Sequence, residues 1–158
     1  MIPLGRISIR GERGADRMSR LTKDEQYTLM NLFTIFKSPL MFGGDLPSND
    51  AFTLSLLTNK NVLKMHKEGT EVRQLFQQDK KLAITSRNRK TGEVYLALFN
   101  LSDENNKRKV EVNLSEIGMQ ECSATDLWSG KKTGFYSGKI SAELPPHASL
   151  LLKLKKTK

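Results

Sequence analysis

Lys81-Leu-Ala-Ile-Thr85 and Val94-Tyr-Leu-Ala-Leu-Phe99 are two short apolar runs separated by the polar stretch Asn88-Arg-Lys-Thr-Gly92. Branched aliphatic and aromatic residues favour strands, and both runs contain them. The glycine at the end of the polar stretch can take the positive φ that a tight hairpin loop requires. The three segments together therefore predict an antiparallel hairpin.

The residues after this hairpin are also typical of short strands separated by turns. Lys109-Val-Glu-Val-Asn-Leu114 alternates apolar and polar residues, which places its three apolar side chains on one face of a strand. Further strands are predicted over residues 124–128, 138–144 and 148–154, with polar turns at 103–107 and 129–132. Several short strands at this spacing predict a small antiparallel sandwich.

The first part of the chain has a helical pattern instead. Thr22-Lys-Asp-Glu25 is a capping box, since the threonine and glutamate side chains can each bond a backbone N–H of the first turn. A broad apolar face follows and predicts a helix over Lys23–Lys37. Ser38-Pro39 is expected to stop it, because proline disfavours helical geometry in the residue before it.

The residues after this helix predict a short strand and then a second helix. The continuous apolar run Leu40-Met-Phe42 suits a parallel strand that is covered on both faces. A second helix is predicted over about 50–58, capped by Ser48 or Asn49 and stopped by Asn59. The segment therefore resembles the end of a β/α alternation, with a boundary to the sandwich near residue 69.

Composition and charge narrow the classes of function. The net charge is +9, from 26 basic and 17 acidic residues, but much of the excess lies at predicted turns and at the C-terminal tail. Such lysines usually protect hairpin ends, so no nucleic-acid partner is expected. No apolar run approaches the roughly 20 residues that span a bilayer, so no membrane partner is expected either. The single cysteine, Cys122, excludes an internal disulfide.

Four ordered motifs make a family recognisable. Lys37-Ser-Pro-Leu-Met-Phe-Gly-Gly-Asp-Leu46 resembles the last barrel strand of the α-galactosidase (melibiase) family of glycoside hydrolases. The segment 54–62 resembles the helix that follows that strand. Asp126-Leu-Trp-Ser-Gly130 and Leu144-Pro-Pro-His-Ala148 resemble turns of the family's C-terminal antiparallel domain. The motifs occur in the family's order across nearly the whole chain.

This resemblance implies an α+β fragment: the last β/α units of a (β/α)₈ barrel followed by an antiparallel β-sandwich. Residues 1–69 would be the barrel remnant and residues 70–158 the sandwich. The family hydrolyses terminal α-galactosides with retention, using two aspartates about 5 Å apart. Both aspartates belong to earlier barrel strands, so no catalytic residue is expected in this chain, which alone would be inactive.

The resemblance also indicates where sugar would bind. Met1-Ile-Pro-Leu-Gly5 is similar to the end of the seventh barrel strand, so Met1 is expected to face the sugar. Asp45 follows the eighth strand, while Arg10 and Arg13 lie in the loop after the seventh. Barrel enzymes place their active sites at these strand ends, and we therefore expect Met1, Asp45, Arg10 and Arg13 to bind substrate. No second carboxylate is expected near Asp45, and no metal or cofactor is expected, because no ligand spacing is present.

Alternative functions remain at this point. The sandwich could act as a stand-alone carbohydrate-binding module through Trp128, Phe135 and Tyr136, although the first of these also suits a core position. A basic nucleic-acid-binding domain is the third hypothesis. In the intact enzyme the partner would be an α-galactoside, and the open barrel edge is expected to promote self-association. The N-terminus lacks the features of a signal peptide, while the parent enzyme is expected to be secreted or periplasmic.

Overall fold

The computed structural model describes residues 1–12 and 14–157. The first part of the chain contains a short antiparallel hairpin formed by strands β1 (Arg6–Ile7) and β2 (Arg17–Met18). The helices follow it as α1 (Lys23–Ile35), α2 (Ala51–Leu57) and α3 (Lys60–Glu68). No helix in these residues is long and apolar enough to cross a membrane.

Strands dominate the rest of the chain. In chain order these are β3 (Thr70–Gln78), β4 (Lys81–Arg87), β5 (Val94–Asn100), β6 (Arg108–Asn113), β7 (Glu121–Asp126), β8 (Lys132–Ser137), β9 (Lys139–Leu144) and β10 (Ser149–Lys156). One antiparallel sheet has the strand order β3-β4-β5-β10-β7-β8, and β6 pairs with β9 in a second sheet. A 3₁₀ turn over Leu114–Ile117 follows β6.

The central strand β5 shows why the sandwich is stable. Its residues are buried along the whole length of the strand. Leu96 and Leu98 lie in an apolar cluster shared with the β6–β9 pair, whereas Ala97 and Phe99 lie in a cluster shared with helices α1 and α3. Successive side chains of a strand point to opposite faces, so a strand covered on both sides needs an uninterrupted apolar run. The large sheet is therefore the middle of three layers.

Helix α1 begins as the sequence predicts. Glu25 donates its backbone N–H to Thr22 Oγ1 at 3.2 Å, and Thr22 donates its own N–H to Glu25 Oε2 at 2.7 Å. Both halves of the capping box are thus present. The helix ends at Ile35, two residues earlier than predicted, because Lys37 takes a φ of 58° that a helix does not allow.

A buried asparagine of α1 forms hydrogen bonds that connect this helix to the sheet. Asn31, which is fully buried, donates from Nδ2 to Ser149 Oγ at 2.8 Å and accepts from Trp128 Nε1 at 2.7 Å. Thr28 donates from Oγ1 to the carbonyl oxygen of His147 at 2.6 Å. Since buried polar groups are costly when unpaired, these bonds fix one arrangement of helix on strand.

The predicted parallel strand at Leu40–Phe42 is wrong in extent. The structure has a single parallel bridge there, between Ile2 and Phe42. Met41 donates its N–H to the carbonyl of Pro39 at 3.0 Å, which turns the chain just before the bridge. Residues 40–42 therefore contain the parallel pairing but no regular strand, and the barrel units implied by the resemblance remain a proposal.

The predicted N-cap of the second helix is also wrong. The N-cap of α2 is Asp50, which accepts from the N–H of Thr53 at 2.7 Å, and neither Ser48 nor Asn49 takes this position. The end of that helix agrees with the prediction, since its C-cap is Thr58, and the expected stop Asn59 is also the N-cap of α3, accepting at 3.1 Å from the N–H of Val62. An asparagine side chain suits both positions, and the apolar residues of α3 were too few to decide between them.

The predicted antiparallel hairpin and the later strands are confirmed, with ends that differ by a few residues. The strands β3 and β8 were missed. β3 is broken by two register shifts against β4, so its side chains do not alternate regularly. β8 reads Lys-Thr-Gly-Phe-Tyr-Ser, whose first half is typical of a turn. Both missed strands lie at the edges of the large sheet.

Candidate functional site

A depression of about 700 Å³ opens between the N-terminal residues, the β1–β2 hairpin and the turn that follows the Ile2–Phe42 bridge. We call it the N-terminal depression; it is lined by residues 1, 3, 6–10, 12, 17 and 43–45. Its rim is apolar at Met1, Pro3 and Ile9, while Arg6 and Asp45 bring opposite charges into it. Binding sites for small molecules commonly combine apolar walls with a few such polar groups.

Backbone hydrogen bonds join the two sides of the depression. Ile2 donates to Met41 at 2.7 Å, Gly43 donates to Ile2 at 2.9 Å, and Asp45 donates to the carbonyl of Arg6 at 2.8 Å. Gly44 lies between the last two, where an added Cβ would meet the carbonyl oxygen of Leu4 at 2.2 Å. Glycine is required here because the two backbones approach too closely for a side chain.

Asp45 is oriented by the turn that it begins. Its Oδ2 atom accepts from the backbone N–H of Ser48 at 3.1 Å and also from the hydroxyl of Ser48. Both bonds go to the same oxygen, so no protein donor among the described residues bonds Oδ1. A half-buried carboxylate held in this way presents one oxygen as a hydrogen-bond acceptor.

Arg6 and Asp16 form a two-pronged ion pair across the hairpin. Arg6 donates from Nε to Asp16 Oδ1 at 2.8 Å and from Nη2 to Asp16 Oδ2. This hydrogen-bonded pairing raises the pKa of Arg6 and lowers the pKa of Asp16. The paired geometry matches the planar guanidinium to the carboxylate and limits the orientations that the arginine can adopt.

Comparison with known proteins gives the family. Residues 79–154 match the model of the α-galactosidase C-terminal β-sandwich domain. The crystal structure of a GH27 β-L-arabinopyranosidase from Geobacillus stearothermophilus covers 99% of the chain at 44% identity, with a TM-score of 0.93. The chain corresponds to the C-terminal portion of an α-galactosidase-type glycoside hydrolase.

Other members of the glycoside hydrolase family extend the match. A variant of the Geobacillus enzyme, solved in complex with arabinose, is 43% identical and superposes on 100% of the chain with a TM-score of 0.93. The α-galactosidase of Cyamopsis tetragonoloba is 26% identical over 132 residues, or 81% of the chain. The chain spans 36% and 37% of the length of the two Geobacillus chains and 32% of the length of the Cyamopsis enzyme.

Three of the four residues expected to bind substrate lie together. Met1, Arg10 and Asp45 all line the N-terminal depression, and Met1 is 79% exposed at its rim. Arg13 lies outside the described residues. Arg6 belongs to the same arginine-containing stretch as Arg10 and Arg13, and its pairing with Asp16 depends on a hairpin that brings residues ten positions apart into contact.

Asp45 shares the depression with a second carboxylate, which sequence reasoning did not place there. Glu12 lines the same depression, and its Oε2 atom accepts from the backbone N–H of Arg10 at 3.3 Å. Glu12 is exposed on the hairpin, however, and a general acid of a glycosidase is normally set apart by burial that raises its pKa. The two carboxylates therefore suit hydrogen bonding to hydroxyls better than bond cleavage.

The aromatic residues of the alternative hypothesis do not form one surface. Trp128 packs edge-on against Tyr27, with ring centroids 4.9 Å apart, and belongs to the layer between helices and sheet. Phe135 is 57% exposed on β8, but Tyr136 is the next residue and points to the opposite face. In residues 1–12 and 14–157 no cluster of three or more His, Cys, Asp or Glu could hold a metal ion.

Proposed function

We propose that this chain forms the rear part of a retaining glycoside hydrolase that acts on terminal α-galactosides. Residues 1–69 would contribute the last β/α units of a (β/α)₈ barrel, and residues 70–158 the sandwich that supports them. The observation that carries the proposal is the gathering of Met1, Arg10 and Asp45 in one depression beside the parallel Ile2–Phe42 bridge. In barrel enzymes, substrate binds at the ends of parallel strands.

Under this proposal the chain binds sugar without cleaving it. A retaining mechanism needs one carboxylate as nucleophile and another as leaving-group acid, about 5 Å apart. Glu12 and Asp45 each have an oxygen committed to the local backbone, and neither is deeply buried. We expect the purified chain to release no nitrophenol from nitrophenyl α-galactoside; clear turnover that is lost in Asp45→Asn would contradict the proposal.

A second substrate is favoured by a specific observation. The two solved structures that match at 44% and 43% identity are of a β-L-arabinopyranosidase. β-L-Arabinopyranose has the ring configuration of α-D-galactopyranose but lacks the hydroxymethyl group. We therefore propose a substrate class of pyranosides with an axial 4-hydroxyl, which includes both sugars.

Titration of the ¹⁵N-labelled chain with galactose and with L-arabinose, followed by NMR, tests this substrate class. Shifts confined to Arg10 and residues 43–45 are expected with both sugars, and glucose serves as the control with an equatorial 4-hydroxyl. Equal shifts with glucose would refute the class. The sugar that binds more tightly would indicate whether the hydroxymethyl group is accommodated.

We also propose that the chain associates with itself through its N-terminal surface. Large apolar side chains are exposed there, with Met1 at 79%, Met41 at 59% and Leu46 at 68%. Exposed apolar side chains that are concentrated in one region of a chain often mark an interface. Light scattering at several concentrations should show growth in mass, and Met41→Lys should reduce it. A concentration-independent monomer would refute this part of the proposal.

A further inference from the structure

We propose that Arg6 contacts the sugar directly, that Asp16 positions it, and that their pairing reduces the preference of the N-terminal depression for sugar acids over neutral sugars. This inference rests on the proposed function, because it assumes that the depression binds sugar. It adds a residue outside the set Met1, Asp45, Arg10 and Arg13, and it adds a rule of selectivity.

The first step in the argument is the placement of Arg6. Its carbonyl oxygen accepts from the N–H of Asp45, so both side chains start from hydrogen-bonded backbone positions. Both line the depression. The side chains of Arg6 and Asp45 also interact electrostatically, since the charge of Asp45 contributes to the raised pKa of Arg6.

The second step concerns hydrogen-bonding capacity. A guanidinium has five N–H donors, and the side chain of Arg6 gives one from Nε and one from Nη2 to Asp16. Within residues 1–12 and 14–157 no other acceptor is bonded to this side chain, which leaves three donors. Asp45 Oδ1 provides an acceptor in the same depression. A donor next to an acceptor matches two neighbouring hydroxyl groups of a pyranose, and the apolar rim at Met1, Pro3 and Ile9 matches the C–H face of the ring.

The third step concerns charge. Asp16 balances the positive charge of Arg6 at hydrogen-bond distance, so the depression gains donors without a net positive charge at this point. The charge of the rim arginine Arg10 is not balanced in this way, because the carboxylate of Glu12 accepts from the backbone N–H of Arg10 and not from its guanidinium. An unbalanced guanidinium would attract a sugar carboxylate, whereas the paired one treats neutral and acidic sugars more equally.

The test compares galactose with galacturonate by NMR titration of the full chain. Wild type is compared with Arg6→Ala, Arg6→Lys and Asp16→Asn, and Arg89→Ala is the control, since Arg89 pairs with Glu71 at 2.7 Å away from the depression. Arg6→Ala should weaken galactose binding about tenfold, as expected for loss of a charged hydrogen bond. Arg6→Lys keeps the charge without the paired geometry, and its affinity for galactose should lie between those of wild type and Arg6→Ala. Arg89→Ala should match wild type.

Asp16→Asn distinguishes a positioning role of Asp16 from a merely structural one, because only positioning predicts opposite changes in the two affinities. It should weaken galactose binding and strengthen galacturonate binding, because it releases the charge of Arg6 and loosens its orientation. Loss of both affinities together would overturn the positioning role. The amide signals of Ile7 and Met18, which lie on the paired strands β1 and β2, check that the hairpin stays folded.

The outcomes separate this inference from the proposed function. If galactose shifts the signals of the depression equally in wild type and Arg6→Ala, the role of Arg6 is refuted while the sugar site stands. If wild type shows no shift with galactose or L-arabinose, the sugar site fails, and the inference is overturned with it.

Discussion

The sandwich and the N-terminal segment achieve burial in different ways. In the sandwich, Phe99 and Leu98 on neighbouring positions of β5 are fully buried, because layers cover both faces of that strand. In the N-terminal segment, Ile2 is fully buried but Met1 is 79% exposed, and one parallel bridge replaces a strand pair. Antiparallel neighbours in sequence can complete a sheet locally, whereas parallel strands need neighbours supplied by distant parts of a chain.

The largest effect is expected at the place where the two regions share a core. Phe99→Ala should lower the free energy of unfolding by about 3–5 kcal/mol, since it removes a fully buried ring from the cluster between sheet and helices. Urea denaturation followed by circular dichroism and by Trp128 fluorescence measures the loss. Both probes should shift together.

Phe135→Ala is the matched control for that experiment. Its ring is 57% exposed on the edge strand β8, so the change should be within about 0.5 kcal/mol. If the fluorescence transition moved in Phe99→Ala while the circular dichroism transition did not, the two regions would unfold separately. The shared-core interpretation would then be wrong.

The next effect is expected at the polar contact between the regions. Asn31→Ala should cost about 1–3 kcal/mol, because Trp128 Nε1 and Ser149 Oγ would each lose a buried partner. The emission of Trp128 should shift to longer wavelength as α1 loosens from the sheet. Asn105→Ala in an exposed turn is the control, and an unchanged emission in Asn31→Ala would mean that this contact does not hold the layers together.

A smaller effect is expected within the N-terminal segment alone. Thr22→Ala removes the side-chain half of the capping box and should cost about 1 kcal/mol. Chemical denaturation measures it, with Thr133→Ala on exposed β8 as control. A cost equal to that of the control would imply that α1 is held by tertiary packing alone.

The smallest effect depends on pH. The Glu25 carboxylate accepts from the backbone N–H of Thr22, which lowers its pKa below the ordinary 4.5. Its stabilising contribution is therefore fully present above pH 4.5 and is lost as pH falls through the lowered folded-state pKa. Glu25→Gln should be less stable than wild type near neutral pH, and the gap should close in acid. A gap that widens in acid would contradict this assignment.

The sequence was informative wherever local chemistry alone decides the structure. The capping box at Thr22 and Glu25 requires residues only three positions apart, and the runs at 81–85 and 94–99 show burial through their composition. Asn59 shows the limit, because the same side chain can end one helix or begin the next. Val62 and Met65 pack into the apolar cluster between helices and sheet, and this packing stabilises a helix that begins at Asn59. The spacing of apolar residues in the sequence does not show such packing.

The candidate site could be predicted only in part, for a similar reason. The resemblance directed attention to Met1, Arg10 and Asp45, which the structure brings into one depression. Arg6 was not selected, although it lies in the same loop. Its partner Asp16 is ten positions away, and their contact depends on the register of the β1–β2 hairpin. Short strands of two residues leave too weak a pattern for that register to be read.

Gly44 has a consequence for how the recognition surface could evolve. A methyl group there would collide with the carbonyl of Leu4 and with the ring of Phe42, so main-chain atoms alone set the spacing between the hairpin and the following turn. That spacing is established on folding and does not depend on any ligand. Under the proposed function, changes in sugar preference are therefore open to side chains such as those of Arg6 and Arg10, while the backbone that carries them stays constant.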